Sequence, residues 1–173
     1  MPGENLTRSE ARTRADLLAV ESYAVSLDLT GDDATFVSRS VISFTAESGS
    51  ATFVDLIAPA VKSITLNGAQ LDPDEVFDGA RINLTGLAAT NELVVTAHCA
   101  YMNTGEGLHR FVDPVDKAVY LYTQFEVIDA RRMFACFDQP DLKATFAFDI
   151  TAPADWAVIS NSPTPTPEAT EPG

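Results

Sequence analysis

The chain has 173 residues, 46% hydrophobic and 21% charged, which is enough to bury one core of ordinary size and excludes wholesale disorder. Eleven Lys and Arg against 25 Asp and Glu leave a net charge of −14. That balance excludes binding to a phosphate backbone and disfavours docking on an anionic membrane surface, so no nucleic-acid or membrane partner is expected. No apolar run approaches the ~20 residues of a membrane span, and the opening MPGENLTRSEARTRADLL contains no apolar signal core. Two cysteines, Cys99 and Cys136, fit a reducing compartment rather than a disulfide scaffold. A cytoplasmic location is therefore expected. The N-L-T triplets at Asn5 and Asn83 are glycosylation acceptors only in a secreted chain and are read as chance.

Thr7-Arg8-Ser9-Glu10 has the form of a capping box and predicts a short helix, continued by Ala11, Ala15, Leu17 and Leu18. After Val20 the hydrophobic period changes to two: Tyr23, Val25, Leu27 and Leu29 share one face, with Ser22, Ser26 and Asp28 opposite. Gly31-Asp32-Asp33 turns the chain, and Thr35 to Ala46 reads as the returning strand. Short strands are predicted at Thr52–Ile57, Val61–Leu66 and Ala80–Leu84, with Asn67-Gly68 as a tight hairpin turn. Asn91–Tyr101 alternates cleanly, and Phe146, Phe148 and Ile150 alternate with Thr145, Ala147 and Asp149. Many short strands with one small helix predict an all-β fold, an antiparallel β-sandwich or saddle-like curved sheet with a short N-terminal helix. From Ser162 the chain reads SPTPTPEATEPG, four of its ten prolines within twelve residues. Proline has no ladder donor, so this stretch predicts a linker or a loop cut short. The expected organisation is a helical segment over 1–19, a β domain over 20–161 and the Pro-rich segment over 162–173.

Few residues suggest chemistry. His98, Cys99, His109 and Cys136 are ligand types for zinc, but their spacing matches no paired motif, and strand neighbours such as His98 and Cys99 point to opposite faces. Cys136 lies in the apolar run Phe134-Ala135-Cys136-Phe137 and reads as an inert buried thiol. The glycines around Glu106 lack a P-loop lysine and a strand-and-helix frame. Asp72, Asp74 and Glu75, and Asp113 and Asp116, lack the calcium-loop pattern and read as solvated loops. No catalytic residue and no metal ligand is assigned. Gln124 and Glu126 are two apart, so on a strand they project from one face, beside Tyr120, Tyr122 and Phe125. A glutamate beside an amide and aromatic rings suits a ligand ammonium group. On periodicity alone, an edge strand with a solvated polar face is the better reading.

Tyr122-Thr123-Gln124-Phe125-Glu126, Asp129-Ala130-Arg131-Arg132, Cys136-Phe137-Asp138-Gln139-Pro140 and Lys143-Ala144-Thr145-Phe146 together resemble the N-terminal domain of the aminopeptidase N family of zinc exopeptidases. The stretches Asn5–Arg8, Ser22-Tyr23, Gly107–Phe111 and Trp156–Asn161 resemble its actinobacterial members, so the likeness covers nearly the whole chain. The resemblance implies a saddle-like β domain followed by a thermolysin-like catalytic domain, which binds zinc through H-E-x-x-H and a distal glutamate and carries a G-x-M-E-N strand. It implies that Gln124 lines the pocket for the first substrate side chain and that Glu126 binds the substrate's α-ammonium. The implied partners are peptide N-termini and the catalytic domain of the same polypeptide. His98 is followed by Cys-Ala-Tyr-Met and His109 by Arg-Phe-Val-Asp, so neither opens an H-E-x-x-H motif, and G-x-M-E-N is missing too. Gln139 stands where many relatives carry glutamate, which reads as neutral variation in a turn. The expectation is a substrate-binding domain of a zinc aminopeptidase, truncated before its catalytic domain, binding no zinc and inactive alone. A freestanding β-sandwich binding or adaptor module is the alternative.

Overall fold

The computed structural model describes residues 5–169. Helix α1 (Arg8–Leu17) begins on the expected capping box, with the Thr7 side chain accepting from the Glu10 amide and the Glu10 carboxylate from the Thr7 amide. It runs straight into β1 (Leu18–Asp28), followed by β2 (Thr35–Ala46), β3 (Thr52–Asp55), β4 (Ala60–Leu66) and β5 (Ala69–Leu71). A short helix α2 (Pro73–Val76), β6 (Arg81–Leu84), β7 (Thr90–Ala100), β8 (Gly107–Val112) and β9 (Val119–Gln124) come next. A single 3-10 turn at Ala130–Arg132 precedes β10 (Thr145–Thr151). The architecture is all-β with a short N-terminal helix, in the predicted class.

Six strands form one sheet in the order β10-β1-β2-β7-β4-β5, and β3–β6 and β8–β9 are separate two-stranded ribbons. The two-residue spacing read from the sequence is the inner face of the large sheet. Tyr23, Val25 and Leu27 of β1, Ile42 and Phe44 of β2, and Leu93 and Val95 of β7 are all buried. A bulge between Val20 and Ser22 resets the register, so that Leu18 and Val20 share the inner face with Tyr23 despite the odd spacing. The ribbon β3–β6 closes the core with Val54, Ile82 and Leu84. Asn67 and Gly68 both take positive φ, 52° and 80°, as a two-residue hairpin loop between β4 and β5 requires.

β10 departs from an all-antiparallel sheet by pairing parallel to β1, with Tyr23 opposite Phe146 and Val25 opposite Phe148. The connection between these two partners runs through residues 29–144, far longer than the crossover a parallel pair requires, and reaches β10 from β9 through residues 125–144. Phe146 and Phe148 are half-exposed and stack at 6.1 Å, as fits a strand at the edge of the sheet. From 162 to 169 the Pro-rich stretch is exposed and outside any strand.

Helix α1 is held by polar contacts more than by apolar ones. Its one buried residue is Arg14, not the alanines on which the sequence reading rests. Arg14 Nη1 donates to Asp55 Oδ2 at 2.8 Å, and Nε donates to Gln139 Oε1 at 2.9 Å. The guanidinium lies 4.7 Å from the Phe53 ring centre. Gln139 is 5% exposed, and its Nε2 donates to the Ala11 carbonyl at 2.8 Å. It is therefore a buried bridge rather than an exposed turn residue. A carboxylate there would lack the donor that reaches Ala11.

Arg14→Ala leaves Asp55 buried without its cation and is expected to lower the unfolding free energy by about 3–5 kcal/mol in urea titrations followed by far-UV circular dichroism. Arg12→Ala, exposed on the same helix, should change it by less than about 0.5 kcal/mol. A second expectation concerns acid. Hydrogen bonding from Arg81, and then from Thr7, holds the Glu10 carboxyl down from its ordinary 4.5 to about 2. A carboxyl depressed in the folded state stabilises above its unfolded pKa and loses that contribution as the pH falls through the folded one. Melting temperatures should therefore drop between pH 4.5 and 2, and Glu10→Gln should flatten that drop.

Candidate functional site

Gln124 is the last residue of β9, and Glu126 lies beyond it in the turn formed by residues 126–129. They are thus not two alternate positions of one strand, as their spacing alone suggests. The strand stops because Phe125 turns inward and packs edge-on against Phe134, ring centres 6.0 Å apart. The flanking Gln124 and Glu126 stay exposed. Gln124 Oε1 accepts from the Glu126 amide, so the two residues form one local turn. Glu126 has no ion pair among the described residues, and its carboxylate is open to a cation.

The ribbon that carries the turn is two-faced. Leu108 and Leu121 pack toward the core. On the other face His109 pairs with Tyr122 and Phe111 with Tyr120. His109 and Tyr122 stack at 4.6 Å, and the Gly105 amide donates to His109 Nδ1 at 2.9 Å. The aromatic wall expected around Gln124 is therefore split. Tyr120 and Tyr122 line the exposed face that leads to Gln124, whereas Phe125 belongs to the core side.

Below the turn, the segment from Ile128 to Asp138 is fastened to the body. The Ile57 amide donates to the Arg131 carbonyl at 2.8 Å, and Asp55 and Cys136 exchange backbone hydrogen bonds at 2.8 and 3.1 Å. Arg131, 2% exposed, donates through Nε to the Ile128 carbonyl and through its amide to Asp138 Oδ2. Burial raises the Asp138 carboxyl above its ordinary range. None of these buried contacts is legible as periodicity.

The remaining candidates fall elsewhere. Cys99 is buried on the inner face of β7, whereas His98 is half-buried on the other face, and Cys136 is buried beside Asp55. Burial pushes the Cys99 thiol up to about 12 and the Cys136 thiol well above its ordinary value, which leaves neither as a nucleophile. Asp72 caps α2 through the Asp74 amide, Asp113 accepts from the Val115 amide and Asp116 from the Ala118 amide. These carboxylates cap turns.

Residues 20–173 match the family model described as the peptidase M1 N-terminal domain. The chain belongs to the M1 peptidase N-terminal domain family. It is 61% identical to an aminopeptidase N of Streptomyces lividans over 97% of its own length and 20% of that protein's. Solved structures of two peptidases superpose on it at low identity. Aminopeptidase A of Legionella pneumophila gives a TM-score of 0.64 at 16% identity, over 77% of this chain and 16% of the other. An M1 zinc metallopeptidase of Deinococcus radiodurans gives 0.62 at 20% identity, over 80% and 33%. The chain thus spans about a fifth of the length of its Streptomyces relative.

The zinc that the family name brings with it has no fit here. No group of three or more His, Cys, Asp or Glu that could hold a metal ion occurs among the described residues. No described helix is long and apolar enough to cross a membrane.

Gly107, paired opposite Gln124 across the ribbon, has φ +59°, and a Cβ on it would stand 2.8 Å from Arg132 Cβ. Gly107→Ala is expected to cost at least about 1 kcal/mol from the left-handed backbone alone, and more from the clash. Gly31→Ala, with open space around it, should leave the melting temperature nearly unchanged; thermal melts of both variants check this.

Proposed function

We propose that this chain is the substrate-facing N-terminal domain of a zinc aminopeptidase that removes residues from peptide N-termini. On this reading Glu126 receives the α-ammonium of the substrate and Gln124 lines the pocket for its first side chain. The observation that carries the reading is the turn itself. An inward-anchored Phe125 leaves an unpaired carboxylate and an amide side by side at the exposed end of a ribbon.

The physical logic follows from exposure. A carboxylate in water gains little by meeting an ammonium group, because the solvent screens both. Enclosed by a second surface, the same carboxylate is costly to leave without a cation, so an internal peptide bond, which offers no charged amine, is rejected. Glu126 therefore needs the catalytic domain of the same polypeptide as its partner to become selective. The zinc belongs to that domain, where it would supply an activated water and polarise the scissile carbonyl. The domain described here binds and orients, and alone it has no peptidase activity. The unit is proposed to run from 20 to 161, with the helical segment 1–19 before it and the Pro-rich linker 162–173 after it. A cytoplasmic location agrees with two free, buried thiols.

In the enzyme that carries this domain, Glu126→Ala is expected to lower kcat/KM on amino-terminal substrates by roughly 30-fold or more, the equivalent of at least about 2 kcal/mol for an enclosed charge pair. Unchanged efficiency in steady-state assays would show that Glu126 does not bind the substrate amine.

A further inference from the structure

Two motif segments, Gly107–Phe111 and Asp129–Arg132, have no role in the reading above, and the structure joins them at one side chain. Arg132 Nε donates to Asp129 Oδ1 at 2.7 Å, and Arg132 Nη2 stands 3.7 Å from Glu106 Oε2. Glu106 is itself held by Thr104 Oγ1 at 3.2 Å. Asp129 closes the turn that contains Glu126, with its amide directed at the Phe125 carbonyl and its own carbonyl accepting from the Arg132 amide. Glu106 lies in the loop that enters β8, one residue before Gly107, the ladder partner of Gln124. The stem of Arg132 fills the space that a side chain at 107 would take.

We propose that Arg132 is a positioning residue that clamps the Glu126 turn to the loop before β8 and so fixes Glu126 relative to Gln124. Only an arginine meets both demands. Its planar fork donates a hydrogen bond to Asp129 through Nε while Nη2 turns its charge toward Glu106, whereas lysine is a single point charge on a flexible stem. Either ion pair alone contributes little at this half-open site, but two anchors on one rigid group restrict orientation as well as distance. Glycine at 107 is the complement of the clamp, because it lets the arginine stem lie against the backbone rung that ends at Gln124. The consequence for function rests on the roles proposed above for Gln124 and Glu126; the clamp itself does not.

The test has two arms. Hydrogen–deuterium exchange on the 173-residue chain compares wild type with Arg132→Gln and Arg132→Lys. Exchange over residues 103–109 and 124–130 is expected to rise about tenfold in Arg132→Gln and less in Arg132→Lys, with β2 and β7 unchanged. Unchanged exchange in both segments overturns the clamp. If Arg132→Gln loses protection everywhere, Glu106→Gln, which removes only the outer anchor, is judged by the same criterion. In the enzyme that carries this domain, Arg132→Gln is expected to raise KM about tenfold with kcat nearly constant, Arg132→Lys to recover part of it, and Arg132→Gln to add nothing in a Glu126→Ala background. A fall in kcat alone, or full additivity with Glu126→Ala, overturns the positioning role. Looser exchange together with a kinetically silent Glu126→Ala leaves the clamp standing and removes the reading of Glu126.

Discussion

The interaction on which the rest of the structure depends is the buried pair of Arg14 and Asp55. Asp55 Oδ2 accepts both from Arg14 and from the Asp138 amide, while the Asp55 backbone pairs with Cys136. One carboxylate therefore ties the N-terminal helix, the small β3–β6 ribbon and the segment leading away from the Glu126 turn. Burying two charges is expensive unless the remaining donors and acceptors are served. Here Gln139, the Phe53 carbonyl and two aromatic rings surround the guanidinium, which serves part of the pair, while Arg14 Nη2 and Asp55 Oδ1 have no hydrogen-bond partner among the described residues. The geometry is consequently narrow, and the segment from Ile128 to Asp138 inherits its position from it.

That inheritance explains how an exposed turn acquires a definite shape. Gln124 and Glu126 have no apolar burial of their own to hold them. Phe125 anchors the chain between them, Arg131 fastens the 3-10 turn behind, and the aromatic face of β8–β9 leads up to them. The core lies against the large sheet, and the residues proposed to meet the substrate stand on a separate ribbon at the side. This division suits a surface completed by a second body, because the ribbon can meet a partner without disturbing the core.

Much of the fold was legible in the sequence because the large sheet is buried on one face only, and burial on one face writes a period of two. β2 begins and ends where its β-branched and aromatic run does, and Asn67-Gly68 marks its hairpin by backbone preference alone. Strand β8 was not legible: residues 107–112 sit on a ribbon with one half-open face, so Leu108, Phe111 and Val112 follow no single period. The burial of Arg14 and Gln139 was hidden for a different reason. A polar side chain enters a core only when its partners arrive from distant segments, and local pattern holds no trace of them. The positions of Gln124 and Glu126 were pointed out by their residue types, but the turn that separates them depends on Phe125 choosing Phe134, a tertiary event.

The parallel pairing of β1 with β10 carries a consequence for synthesis. β1 leaves the ribosome more than a hundred residues before the strand that covers its outer edge. At ordinary elongation rates that interval is roughly 10 s, long compared with the microseconds in which β1 and β2 can form a hairpin. Throughout it the outer backbone donors and acceptors of β1 are unsatisfied, a template for any extended chain nearby. The exposed Ala19, Glu21 and Ala24 that alternate with its buried residues keep one side of that strand free of large apolar groups during the wait.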